Sequence, residues 1–153
     1  MFCSAVKKLI PALLFTGLAG AASAADVSLV HKGAVYPTGT PFSEVAVVDG
    51  TIYLAGIIGV KPGTLTLVEG GMEAEAKQTM DNVKAALASA GYSMGDLVKC
   101  TVMLADISEW GAFNAIYKTY FSDPYPVRSA LGANGLALGA RVEVECIGAV
   151  PNR

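Results

Sequence analysis

The chain of 153 residues has one histidine, His31, and three cysteines, Cys3, Cys100 and Cys146. The cysteines make no C-x-x-C pair, and a lone histidine beside them argues against a built-in metal site. Charged residues are 16% of the chain against 53% hydrophobic, a balance that excludes a disordered polypeptide. Basic residues are not in excess: 11 stand against 13 acidic, a net charge of −2. The electrostatic footprint of a nucleic-acid partner is therefore missing. The glycines include no G-x-x-x-x-G-K-[ST], so no P-loop is present. No internal repeat or low-complexity tract is visible, and the length suits one domain.

The apolar excess is partly local. Lys7 and Lys8 precede an apolar run from Leu9 to about Ala19, and Ala22-Ser23-Ala24 closes the stretch with small residues. Basic region, short apolar core and A-x-A ending describe a secretory signal peptide, too short to span a membrane comfortably. Residues 1–24 are therefore read as a leader and 25–153 as the folded domain. Cys3 precedes the apolar run, so its position is wrong for lipoprotein acylation. Without Lys7 and Lys8 the mature chain keeps 9 basic and 13 acidic residues, a net charge of −4. Export, to the periplasm in a Gram-negative cell, permits a Cys100–Cys146 disulfide. Both cysteines also suit the role of small buried hydrophobes.

Behind a polar leader through Lys32, Asp49-Gly50 separates two β-rich runs, Glu44–Val48 and Thr51–Ile58. That is the signal of a type I′ hairpin. Thr64–Val68, between glycine-rich turns, reads as a short edge strand. Met72, Ala76, Met80, Val83, Leu87 and Ala90 step by four and three, marking one face of a helix that Gly91 stops. Leu97–Ala105 follows as a strand with Val98, Cys100, Val102 and Leu104 on one face. Ser108 is placed to cap a second helix carrying Trp110, Phe113, Tyr117 and Tyr120. Arg128–Ala133 and Arg141–Ala149 complete an α+β pattern with two helices on one face of a sheet. Tyr53, Ala55 and Ile57 oppose Ile52, Leu54 and Gly56 on their strand, so both faces are apolar there. Two helices cover one face, and self-association covers the other.

His31 lies in the polar stretch before the first hairpin and reads as a mobile surface residue, which leaves no partner for a serine or cysteine nucleophile. Two features of the last third carry more chemistry. Tyr125-Pro126-Val127-Arg128 aims an arginine along a proline-restricted segment. Its planar fork matches a carboxylate, although a structural ion pair would use it equally well. Val142-Glu143-Val144-Glu145-Cys146 puts two carboxylates on one strand face, turned to water, a partner subunit or a pocket.

Taken together, these segments resemble the RidA (YjgF-type) reactive intermediate deaminase family. The likeness is carried by Pro41-Phe42, Asp81-Asn82-Val83, Gly95-Asp96-Leu97-Val98-Lys99, Phe113-Asn114-Ala115-Ile116-Tyr117, Pro126-Val127-Arg128-Ser129 and Val142-Glu143-Val144-Glu145. They occur in family order over about residues 35–150. The resemblance implies a chorismate-mutase-like fold, a six-stranded, mostly antiparallel sheet, and a homotrimer whose sheets form a central barrel with clefts between subunits. It implies hydrolysis of 2-enamine or 2-imine acids to 2-oxo acids and ammonia, with no metal or organic cofactor. Arg128 would hold the carboxylate and Glu143 the attacking water, with Asn114, Phe42, Ala55 and Gly56 lining the cleft. The chain departs from the family pattern at Phe42, where deaminases carry tyrosine, and at Ala55, where they carry serine. The link Gly132-Ala133-Asn134-Gly135 also lacks their usual charges. Loss of two hydroxyls leaves open a second reading, a trimeric protein that binds small carboxylates without turnover.

Overall fold

The computed structural model describes residues 24–151; the predicted leader, Ala24 apart, lies outside them. The strands are β1 (Val27–Val30), β2 (Val45–Val48), β3 (Thr51–Leu54), β4 (Ile57–Ile58), β5 (Leu97–Leu104), β6 (Val127–Gly132) and β7 (Val142–Ala149). The helices are α1 (Gly71–Ser89) and α2 (Trp110–Tyr117). One mixed sheet runs β1-β2-β3-β7-β5-β6, with β4 also paired to β7. Every pairing is antiparallel except β5 with β6. Asp49 and Gly50 take φ 47° and 79° in the β2–β3 turn, the left-handed pair that Asp-Gly predicts.

The sheet has seven strands where the resemblance implies six. β1 falls in the stretch read as a polar leader. Val27 and Leu29 stay exposed, so no burial alternation marks the strand; backbone pairing to β2 makes it. The run Thr51–Ile58 breaks at Ala55-Gly56, where the Ala55 N–H turns to the Glu44 carbonyl at 3.0 Å and β4 moves onto β7. Thr64–Val68 is no strand and keeps a single bridge, Leu67 to Val60. In β5 a register shift between Leu97 and Lys99 turns Val98 out of the predicted core face, and it is exposed. Ser108 does not cap α2: Asp106 caps the 3-10 turn Ile107–Glu109 that leads into that helix, its carboxylate accepting the Ser108 N–H at 2.9 Å.

α1 packs on β3, β4 and β7 and against α2. Met80, Val83 and Leu87 from α1 meet Ile52, Val102, Val144 and Phe113 in one core. Cys100 and Cys146, directly opposed on β5 and β7, are joined as a disulfide on this buried face. On the other face Tyr53 and Ile147 are paired across β3 and β7, and both are exposed.

Candidate active site

Strand alternation decides where the two predicted chemical groups point. Arg128 lies in register with Cys100, and side chains directly opposite on neighbouring strands share a face. Arg128 is therefore on the helix-side face, at the sheet edge beyond α2. Glu143 is in register with Met103 and Ile58 and alternates with the buried Val142 and Val144. Glu143 is therefore on the opposite face.

Each group lines its own hollow. Arg128 shares one of 360 Å³ with Asn114, Tyr117, Lys118, Tyr125 and Pro126. Its guanidinium carbon stands 4.5 Å from the centre of the Tyr117 ring and 5.7 Å from that of Trp110. Stacking against aromatic faces orients a guanidinium while leaving its edge donors available. Among the described residues no carboxylate pairs with it; Arg141, by contrast, holds Glu109 at 3.0 Å. Of the two readings open in the sequence, the structural ion pair is absent.

Glu143 shares a second hollow of 470 Å³ with Phe42, Ala55 and Gly56. Its carboxylate lies over Gly56, where an added Cβ would collide with Oε1 and stand 2.8 Å from the carboxylate carbon. Any side chain at this position would push the Glu143 carboxylate, the movable end of its side chain, out of its place. Burial, and then the neighbouring Glu145 carboxylate, raise the Glu143 pKa above the ordinary carboxylate value. A carboxylate shifted in this direction holds a proton more readily than an ordinary one, as a proton relay requires.

Several supports of this hollow went unread in the sequence. Tyr36 brings a hydroxyl to it, donating to the Gly56 carbonyl at 2.8 Å and accepting the Ile58 N–H at 3.1 Å. Burial is the main reason that its pKa is pushed up to about 12. Tyr36 is held in turn by Glu44, fully buried, whose carboxylate accepts the N–H groups of Val35 and Tyr36, both at 2.8 Å. His31 is no mobile surface residue. Its Nε2 lies 3.1 Å from the Pro37 carbonyl and 3.2 Å from Thr40 Oγ1, and its Nδ1 4.0 Å from Glu44. From α1, Asn82 donates to the carbonyls of Ile58 and Val60 at 2.9 and 2.8 Å. Glu75 accepts the Arg141 N–H at 2.6 Å. Together they fix β4 and the start of β7, and with them Glu143. All six site residues expected from the resemblance thus line a hollow, but in two sets separated by the sheet.

A family model described as endoribonuclease L-PSP matches residues 33–150. A 2-iminobutanoate/2-iminopropanoate deaminase of Mus musculus is 44% identical over 107 residues, 70% of this chain and 79% of its own. The protein of the same description from Homo sapiens is 42% identical, over 70% of this chain and 78% of its own. Among solved structures, RidA from an Antarctic Psychrobacter superposes with a TM-score of 0.75 at 32% identity. That superposition covers 80% of this chain and 99% of the other.

Proposed function

The chain belongs to the RidA (YjgF-type) reactive intermediate deaminase family, and from that premise we propose that it hydrolyses 2-imino acids to 2-oxo acids and ammonia. The observation that carries the reading is the paired equipment: an arginine with no carboxylate partner among the described residues, stacked on Tyr117, and a half-buried glutamate with a raised pKa. Arg128 binds the substrate carboxylate through its two-pronged fork. Glu143 takes a proton from a water molecule as that water adds to the imine carbon. It returns that proton to nitrogen, giving the carbinolamine; the hydroxyl proton then passes through the same carboxylate to nitrogen as the C–N bond breaks and the C=O bond forms, and ammonia and the 2-oxo acid leave. An imine carbon is already electrophilic, so positioning and proton relay suffice. The ribonuclease description of the family model is not carried over, because an acidic mature chain repels a polyanion.

A complete site takes two subunits. Arg128 and Glu143 lie on opposite faces of one sheet, so a substrate touching both needs one from each of two copies. The exposed Tyr53–Ile147 pair supports burial of the second face by self-association. Closed three-fold symmetry, as the family likeness implies, makes a homotrimer with three equal clefts. Export to an extracytoplasmic compartment is supported by the basic, apolar and small-residue leader and by the disulfide. The test is release of ammonia and 2-oxo acid from freshly generated 2-imino acids, above the rate in buffer. Binding of 2-oxo acids without any rate increase would establish the carboxylate-binding protein instead.

A further inference from the structure

Hydrolysis alone does not account for the wall facing Glu143. Leu138 sits at the mouth of that hollow with φ 58° and ψ 12°, in the left-handed region that a leucine side chain disfavours. The flanking Gly135 and Gly139 are also left-handed, at φ 89° and 77°. Glycine or asparagine would serve this turn better. Nor does the core explain leucine, since the side chain is 56% exposed. Leu65 and Phe42, 51% and 44% exposed, line the same hollow. Three large apolar side chains thus stand around one mouth, one of them in a disfavoured backbone conformation. An unfavourable conformation kept at a site is a pointer to its use there.

We propose that Leu138 is a specificity-determining residue: with Leu65 and Phe42 it forms an apolar wall that receives the substrate's side chain. The inference rests on the deaminase reading above and deepens it by naming the substrate class. The favoured substrates are 2-imino acids with a branched or extended apolar side chain. With its carboxylate on Arg128 and its imine carbon at Glu143, such a substrate turns that chain toward the wall. Short or polar side chains leave the wall wet and lose the contact.

The test compares 2-imino acids generated in place from L-leucine and from L-alanine by an amino-acid oxidase. The expected ratio of kcat/KM favours the leucine-derived imine by about ten-fold or more. Leu138→Gly and Leu138→Asn are both comfortable at this φ, so the fold should hold or gain in thermal midpoint while the preference falls by about ten-fold. Leu65→Ser, away from the strained turn, should lower it in the same direction. An unchanged ratio in folded Leu138 variants, or an equal loss on both substrates, would overturn the assignment. If the parent hydrolyses neither imine, the deaminase reading fails while the wall stays testable by calorimetry with 4-methyl-2-oxopentanoate and pyruvate. Tighter binding of the larger acid, lost in Leu138→Asn, supports the wall. Equal affinities in parent and variant overturn it.

Discussion

Replacing Arg128 separates ligand binding from stability with unusual clarity, because the structure gives this side chain so little structural work. No carboxylate among the described residues pairs with it, and its contacts are the faces of Tyr117 and Trp110. A partly exposed stack of this kind is worth about 0.5–1 kcal/mol. Arg128→Ala should therefore lower the thermal midpoint by only about 2–5 °C. A charge-assisted contact to a substrate carboxylate is worth about 1.5–3 kcal/mol, so the same change should weaken affinity roughly ten- to a hundred-fold. Arg128→Lys keeps the charge but replaces a planar fork with a single point donor. It should melt nearly as the parent does and still lose much of the affinity. The assay is a pair of measurements on each variant: differential scanning calorimetry, and initial rates of 2-oxo acid release over a range of imine concentrations. A midpoint fall well beyond 10 °C for alanine, with mild loss for lysine, would show a structural arginine. Parent-like melting together with parent-like turnover in both variants would refute the assignment of Arg128.

Three further outcomes follow from the site and its frame. Glu143 is held above the ordinary carboxylate pKa by burial and by Glu145, so its ionised form costs stability. That cost is absent below the unfolded-state pKa and appears as pH rises through the folded one. Glu143→Gln should thus melt higher than the parent at neutral pH, converge with it in acid, and lose turnover. Glu145→Gln, by removing the neighbouring charge, should move the acid limb of the rate profile to lower pH; a limb that stays put or rises counts against Glu143 as the base. Gly56→Ala drives a methyl group into the Glu143 carboxylate, and a displacement of about 1 Å at a catalytic group costs about a hundred-fold in rate; rates equal to the parent would mean that the carboxylate acts elsewhere. The Cys100–Cys146 bond closes a loop of 46 residues, for which chain entropy gives about 4 kcal/mol. Reductant, or Cys100→Ser with Cys146→Ser, should therefore lower the thermal midpoint by about 15 °C, and intact mass of the untreated protein should be two hydrogens below the reduced value.

Legibility in the sequence tracked burial. Val142, Val144 and Cys146 are buried and Glu145 exposed, so β7 could be read by period alone, and its glutamates with it. α1 was equally plain, because Met72, Ala76, Met80, Val83 and Leu87 all enter the core. β1 has no buried face to create a period, and only its pairing partner defines it. Val98 was misassigned for the opposite reason. The apolar alternation was present, but a bulge inverted it, and a bulge leaves no mark in hydrophobicity. The expected site residues Arg128, Asn114, Phe42, Ala55, Gly56 and Glu143 rest on family resemblance, and strand patterning alone offers only the arginine and the glutamates. The role of Glu44 depends on backbone groups close in sequence but brought round by a turn, and that of Tyr36 on backbone groups of Gly56 and Ile58, 20 and 22 residues away; neither leaves a mark in the sequence pattern. A buried carboxylate satisfied by three N–H groups looks, in sequence, like any polar residue before a strand.

The split of the site across the sheet follows from two features that serve stability first. The disulfide pair fixes Cys100 and Cys146 toward the helices, and strand alternation then forces Glu143 and Glu145 outward. The parallel register of β6 sets Arg128 opposite Cys100 and so turns it to the helix side, where Tyr117 lies beneath it. Shifting β6 by one residue would bring Arg128 to the face of Glu143, but it would also turn Val127 and Ser129 to the helix side. One polypeptide therefore cannot offer both groups to one small acid while keeping this core. A second copy placed against the outer face removes the conflict. In the proposed assembly that copy would cover Tyr53 and Ile147, carry its own sheet edge to the hollow over Gly56, and present its Arg128 across the gap. On this view assembly and catalysis are one requirement: a variant such as Tyr53→Lys, which opposes burial of the outer face, should lose turnover in proportion to the loss of oligomer while each protomer keeps its fold. Full activity in monomers of such a variant, measured by light scattering alongside the rate assay, would show that a single protomer assembles the site unaided.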